Sequence, residues 1–145
     1  MRTFIVAAGA AMLAFSAPAA AQNFPLAPGN YWEVTGVKVD DGAGIKYAGW
    51  LASEWRRFND FSKSRGWITD YKILANVHPR KDEPDFFLIV EYPSLPDAAE
   101  SEKRNEAFRA EMQRTDTQLA SESGQRATYR HVLGTELLQE LHFRK

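Results

Sequence analysis

Six residues of this sequence have side chains suited to contact a small molecule, and three of them follow one predicted helix. Tyr47, Trp50 and Trp55 recur on the apolar side of a segment that runs from Ile45 to about Ser64. Aromatic walls with a few polar groups are typical of small-molecule pockets. The same rings are equally suited to fill a hydrophobic core. The spacing therefore predicts either a pocket wall or core packing for these three residues.

The other three candidates carry polar tips and lie on or beside predicted strands. Tyr71 and Tyr92 fall on two strands that we expect to pair, and a buried phenol needs a hydrogen-bond partner. His78 stands at the end of the first of these strands, beside Pro79. There it would act as a general base or an axial haem ligand, or it would be a solvated loop histidine.

Other arrangements that carry chemistry find little support in the sequence. His131 and His142 are far from His78 and lack the short spacing of a zinc site, so we expect surface or interface positions and no structural metal. Asp70 and Glu91 fall at positions that alternation predicts to face outward. The glycines and serines match neither a phosphate-binding loop nor a nucleophile elbow.

Composition excludes several classes of protein. The 145 residues contain 18 Lys and Arg against 19 Asp and Glu, which gives a formal net charge of −1. This balance offers no basic surface for nucleic acid or for anionic lipid. The sequence has no cysteine, which excludes disulfides, thiol catalysis, iron–sulfur clusters and zinc sites with cysteine ligands.

The first 21 residues have the pattern of a cleavable export signal. Arg2 precedes an apolar run from Phe4 to Phe15, and small residues from Ala19 to Ala21 follow. The apolar run is shorter than the roughly 20 residues that a membrane-spanning helix needs. We therefore expect a periplasmic or secreted protein that begins at Gln22 and has no membrane association after cleavage.

The rest of the chain predicts one α+β domain at residues 30–145, after an extended lead-in at residues 22–29. The strand at 86–90 is apolar on both faces, which indicates a central position covered on both sides. Residues 125–134 are ambiguous between helix and strand. The predicted elements are a strand at 31–39, a helix at 45–64, strands at 67–77 and 86–90, a helix from about Pro96 to Gly124 and a strand at 135–143.

This order of elements is the ferredoxin-like βαββαβ plan. Right-handed crossovers then place the first and third strands at the centre of a four-stranded antiparallel sheet, with both helices on one face. The second face of such a sheet would be open to water, although several of its strands carry apolar residues on both sides. We therefore expect something else to cover that face.

The chain resembles the dimeric α+β barrel superfamily. The resemblance rests on the aromatic first helix from Tyr47 to Phe61, on the strand from Asp85 to Tyr92 with Pro93-Ser94 after it, and on the closing strand from Glu136 to Phe143. It implies a homodimer that pairs sheet against sheet, with a pocket between the sheet and the helices of each protomer. The superfamily hosts many activities, so the fold does not select a chemistry.

The expected function is therefore that of a small exported homodimer that binds an apolar small molecule or serves a stress-related role. The alternative is an enzyme of the same fold, either a cofactor-independent monooxygenase or a haem-handling protein. No cofactor is predicted for the first role, and haem would be the cofactor of the last.

Overall fold

The computed structural model describes residues 24–144, so the predicted leader lies outside the described residues. The elements follow the predicted order, with an additional division of the helices. They are β1 (Leu26–Val39), α1 (Gly44–Trp50), a π-helical turn (Leu51–Trp55), α2 (Arg56–Ser64), β2 (Asp70–Ala75), β3 (Phe86–Tyr92), α3 (Ala98–Met112), α4 (Asp116–Arg126) and β4 (Arg130–Phe143).

The four strands form one antiparallel sheet in the order β2-β3-β1-β4. This confirms the predicted four-stranded α+β fold with the ferredoxin-like strand order. Strand register then assigns the two faces of the sheet. Val37, Leu88 and Val90 point toward the helices, whereas the alternate residues, such as Val34 and Ile89, point to the opposite side. We call that opposite side the open face.

The first helical segment is continuous from Gly44 to Ser64 and supplies the covering layer of the core. Tyr47, Leu51 and Trp55 are buried and pack against the helix-facing residues of β1 and β3. Gly66, which has a φ of 70°, follows the end of this segment, because glycine adopts left-handed backbone angles without strain.

Strands β1 and β4 both begin before their predicted first residues. Residues 22–29 were expected to be an extended lead-in ahead of the domain, but β1 begins at Leu26 and pairs there with Phe143. Pro28 lacks a backbone N–H, and an irregularity directly after it lets the ladder continue. β4 begins at Arg130, five residues before its predicted start, so the second half of the ambiguous stretch at residues 125–134 is strand.

The second predicted helix is two helices. Gln113 follows α3 with a left-handed φ of 54°, and Thr115 then caps α4 in a capping box with Gln118. α4 continues past Gly124 to Arg126, so the first two residues of the ambiguous stretch at 125–134 are helical. A Thr-x-x-Gln pattern is a start signal for a helix, and here it outweighs the helical periodicity around it.

β4 differs from the other strands because the helices do not cover it. Every residue from His131 to Arg144 is exposed, although β4 occupies 14 positions of the sheet. Its leucines point to both sides: Leu137 is in register with Glu33 on the helix side, and Leu138 is in register with Trp32 on the open face. Each of these leucines is about half exposed.

Candidate functional site

The six predicted site residues do not converge on one cavity in the described structure. Tyr47 and Trp55 lie in the core, with 1% and 9% of their surfaces exposed. Tyr47 stacks on Trp50 with ring centroids 5.7 Å apart, and its other neighbour is Phe86 at 5.9 Å. Tyr47 and Trp55 therefore contribute packing between helix and sheet, whereas Trp50 is only half-buried and forms part of an outer groove.

Tyr71 lies at the edge of the core and faces the first helical segment. Its ring meets Trp55 edge to face at 5.3 Å, and its hydroxyl donates a 2.6 Å hydrogen bond to Asp60. This hydrogen bond raises the pKa of the Tyr71 phenol above its ordinary value. The phenol is thus engaged with a surface carboxylate.

His78 follows β2 in the connection to β3 and is exposed. Its backbone N–H donates to the side chain of Asn76 at 3.3 Å. The connection itself is fixed to β1, because the backbone N–H of Val39 donates to the Asp85 carboxylate at 2.8 Å. His78 therefore lies on the surface, away from the buried aromatic residues.

Tyr92 is the predicted residue with the most unusual environment. Its ring packs against the core, and burial raises the pKa of its phenol to about 12, with a smaller contribution from the negative charge of Glu33. Tyr31 lies directly opposite it on β1. The hydroxyl of Tyr92 has no hydrogen-bond partner among the described residues, so it is a donor directed into half-buried space.

Glu33 is the residue that the sequence reasoning missed. It points to the helix side of β1, in a row between Val90 on β3 and Leu137 on β4, and lies diagonal to Tyr92. Burial raises the pKa of its carboxyl above 4.5. Within residues 24–144, no hydrogen bond or ion pair engages this carboxyl. The signal for Glu33 in the sequence was an acidic residue at an inward-facing position of the alternating pattern of β1.

Together Glu33 and Tyr92 form a polar pair in mostly apolar surroundings. On the β4 side the surroundings are open, since Leu137 and Leu141 on the helix side are about half exposed. A carboxyl and a phenol in such a place are able to accept and donate hydrogen bonds to one small molecule. Because burial raises its pKa, this carboxyl also takes up a proton more readily than an exposed glutamate does.

The remaining histidines and acids from the sequence analysis are paired at the surface. His131 contacts Asp40 at 2.9 Å, and His142 contacts Glu140 at 3.6 Å. Asp70 pairs with Lys63 at 2.9 Å, and the side-chain amide of Asn30 donates to the Glu91 carboxylate at 2.8 Å. Across residues 24–144, histidines and acids do not gather in groups of three suited to a metal ion.

The open face carries a shallow apolar depression. Its lining includes Val34, Phe87 and Leu133, and its volume is about 280 Å³. Gly36 forms part of the lining, and a Cβ there would lie 2.8 Å from Pro84 of the β2–β3 connection. Leu74 and Leu138, each about half exposed, extend this apolar surface toward the two edges of the sheet.

Comparison with protein-family models gives no match, and comparison with curated protein sequences gives none. Among solved structures, the chain is similar to the crystal structure of HapK from Hahella chejuensis, with 9% sequence identity and a TM-score of 0.49. The similarity covers 79% of this chain and 96% of that chain. In the part of this chain that the structure describes, none of the helices is both long and apolar enough to cross a membrane.

Proposed function

We propose that this protein is a homodimer that binds a small, mostly apolar molecule bearing a hydroxyl group, at Glu33 and Tyr92 on the helix side of the sheet. The observation that carries this proposal is the unpartnered, half-buried carboxyl of Glu33. Partial burial desolvates this carboxyl, and no hydrogen-bond donor of residues 24–144 contacts it. A ligand hydroxyl that donates to it would therefore form a charge-assisted hydrogen bond in place of a contact with water.

The homodimer follows from the exposed apolar residues on both sides of β4 and on the open face. A long edge strand with exposed leucines is prone to associate with another chain. A second copy offers a matching surface, since the open face is itself apolar and a two-fold axis pairs a patch with itself. Leu74, Leu133 and Leu138 would then be buried between two sheets, as in the superfamily that the chain resembles.

Export is part of the proposal and rests on the sequence of the first 21 residues. A cationic start, an apolar run and small residues before Gln22 favour cleavage after Ala21. The intact mass of the protein recovered from the exported fraction tests this. A full-length chain confined to the cytoplasm would contradict it.

The binding experiment compares 2-naphthol with 2-methylnaphthalene, which has the same apolar body but no hydroxyl. We expect the chain that begins at Gln22 to bind 2-naphthol at least tenfold more tightly, because a hydrogen bond to a charged group contributes about 1.5–3 kcal/mol. Glu33→Leu is expected to remove this preference and Tyr92→Phe to reduce it. Glu106→Gln, at an exposed position on α3, is the control. Equal affinity of the wild type for the two compounds would refute the site.

The raised pKa of Glu33 also supports a second candidate function, that of a cofactor-independent oxygenase. In that role the Glu33 carboxylate takes a proton from the bound substrate, and molecular oxygen is the oxidant. Oxygen uptake by the purified protein with 2-naphthol, absent in Glu33→Leu, would favour the enzyme. Binding without oxygen uptake would favour the binding protein.

A further inference from the structure

One row of residues on the open face is bulky at one end and hollow at the other. Across the strand order β2-β3-β1-β4 the row consists of Leu74, Phe87, Gly36 and Gly134. Leu74, on β2, is 51% exposed. Pro84 covers Gly36, whereas a Cβ at Gly134 would meet no heavy atom within 4 Å. The part of the open-face depression that lies over Gly134 is therefore accessible to another side chain.

Within residues 24–144, no contact requires a glycine at position 134. Its backbone is not in the left-handed region, so the irregularity of the β1–β4 ladder beside it does not depend on glycine. The space above Gly134 would admit a larger side chain. A glycine inside a strand weakens that strand, and it often marks a place where another backbone or a ligand approaches closely. Gly134 thus indicates a contact with a group outside its own chain.

The neighbouring row of the open face carries opposite charges at its two ends. Across the same four strands it consists of Lys72, Ile89, Val34 and Glu136. Lys72 and Glu136 are both exposed, and neither forms an ion pair with another of residues 24–144. The Lys72 ammonium lies 4.7 Å from the ring centroid of Trp32, but its flexible stem allows it to turn toward another charge. This row therefore offers a cation on β2 and an anion on β4.

We infer from these two rows that the two-fold axis of the proposed homodimer runs parallel to the strands, between β3 and β1. This inference rests on the homodimer proposed above and adds its register. Because β2 and β4 lie on opposite sides of that axis, β2 of each protomer lies over β4 of its partner. Leu74 then lies over the partner's Gly134, and Lys72 lies over the partner's Glu136.

This arrangement is complementary in size and in charge. Leu74 enters the depression over the partner's Gly134, and the apolar side chain is removed from water. The Lys72 ammonium meets a carboxylate, and Ile89 meets the partner's Val34 near the axis. A two-fold axis forms each of these contacts twice, because it pairs a patch with itself. It also keeps the strands of the two sheets nearly aligned, as is usual when sheets pack face to face.

An axis that runs across the strands gives the opposite result. Through the first row, such an axis would place Leu74 on Leu74 and Gly134 over Gly134. Through the second row, it would place Lys72 on Lys72 and Glu136 on Glu136, and like charges that face each other across an interface are costly. Size and charge along the two rows therefore both favour the axis parallel to the strands.

The test changes the charges of Lys72 and Glu136 in chains that begin at Gln22. Lys72→Glu and Glu136→Lys each place like charges together twice in a homodimer, so each is expected to weaken dimerisation about tenfold or more. In a mixed dimer of the two variants, both contacts again join opposite charges, and its affinity is expected to lie within about threefold of the wild type. Native mass spectrometry measures the mixed dimer when one variant is labelled with heavy nitrogen. Glu106→Lys, at an exposed position on α3, is the control and should mix with the wild type without preference.

A second variant tests the contact over Gly134. Gly134→Leu is expected to keep the circular dichroism of the wild type, because a Cβ there meets no heavy atom within 4 Å of its own chain. It is expected to weaken dimerisation about tenfold or more, because the added side chain occupies the space that the partner's Leu74 would fill. Gly124→Leu, at an exposed and equally open position on α4, should leave the dimer affinity within about twofold.

The outcomes separate this register from the homodimer itself. A wild type that dimerises, with two charge variants that show no preference for each other, would overturn the axis and leave the homodimer in place. A Gly134→Leu variant that dimerises as tightly as the wild type would exclude the contact with Leu74 and so overturn the register. A wild type that is monomeric at micromolar concentration would refute the homodimer and the register together.

Discussion

Both β3 and β4 carry apolar residues on both faces, but those of β3 are buried, whereas those of β4 are exposed. Leu88, Ile89 and Val90 of β3 are all buried, including Ile89 on the open face. Leu137 and Leu138 of β4 remain about half exposed on opposite faces. Apolar residues on both faces thus indicate that both faces of a strand are to be covered. They do not indicate whether residues of the same chain or of a second chain cover them.

The cover over Ile89 shows how the chain protects β3 locally. Lys72 of β2 and Trp32 of β1 lie on the strands that flank β3, and the Lys72 ammonium reaches within 4.7 Å of the Trp32 ring centroid. The aliphatic stem of the lysine therefore crosses β3 and shields it. β4 is an edge strand and has only one neighbouring strand, so no such bridge forms over it.

The largest expected effect is on the stability of β3. Leu88→Ala is expected to lower the free energy of unfolding by about 2–5 kcal/mol, because a buried leucine leaves a cavity. Urea unfolding measures this loss. Ile45→Ala, at a position 91% exposed, serves as the control and is expected to change stability by less than about 0.5 kcal/mol. Equal losses in the two variants would contradict the assigned core.

The next effect concerns association through β4 and the open face. Leu138→Asp is expected to weaken the proposed dimer about 100-fold or more, because dimerisation would bury an unpaired charge. Far-UV circular dichroism of the resulting monomer should stay close to that of the wild type, since Leu138 has no buried role within one chain. Light scattering measures the mass. A wild type that is monomeric at micromolar concentration would refute the dimer.

A smaller effect is expected from pH at Glu33. Its folded-state pKa is raised by burial, so the folded protein binds the proton more readily than the unfolded chain. The stability that this proton provides is complete below pH 4.5 and is lost as pH rises through the folded-state pKa. Glu33→Leu should abolish this part of the decline above pH 4.5. Thermal unfolding of both proteins across that range measures it, and an unchanged profile would contradict the burial.

The smallest effect is expected from replacing Lys72, whose side chain lies over β3 and reaches the Trp32 ring. Lys72→Ser is expected to lower stability by about 0.5–1 kcal/mol, the usual contribution of an exposed cation–π contact. The measurement is best made in the Leu138→Asp background, where a partner chain does not cover the open face. Lys72→Met, which keeps an apolar stem of similar length, should recover part of the loss. Full stability in Lys72→Ser would show that the bridge does not stabilise β3.

Much of the fold was predictable because its signals are local. Alternation identified β1 and β2, and the two-sided apolar pattern identified β3 and its central place. The limits of β1 and β4 were not predictable in the same way, since each depends on the length of the other. The break after α3 was visible in the capping pattern that starts at Thr115, but the apolar spacing concealed it.

The site was predictable only in part, because the type of a residue does not show what covers it. Tyr92 was a candidate from its place on a paired strand, and the structure adds the half-buried position of its phenol. Glu33 shares the inward parity of Val37, but only the folded sheet shows that it lies beside Leu137.

The π-helical turn at Leu51–Trp55 determines how the chain tolerates insertions and deletions. Tyr47, Leu51 and Trp55 are spaced four residues apart, and in a regular α-helix each such step drifts about 40° around the axis. The wider turn counteracts this drift, so all three side chains face the sheet. Because the π turn takes up one more residue than an α-helical turn, deleting one residue here would restore a plain α-helix and leave the residues after it facing nearly the same way. Homologous chains should therefore tolerate the loss of one residue in this segment more readily than elsewhere in the helix.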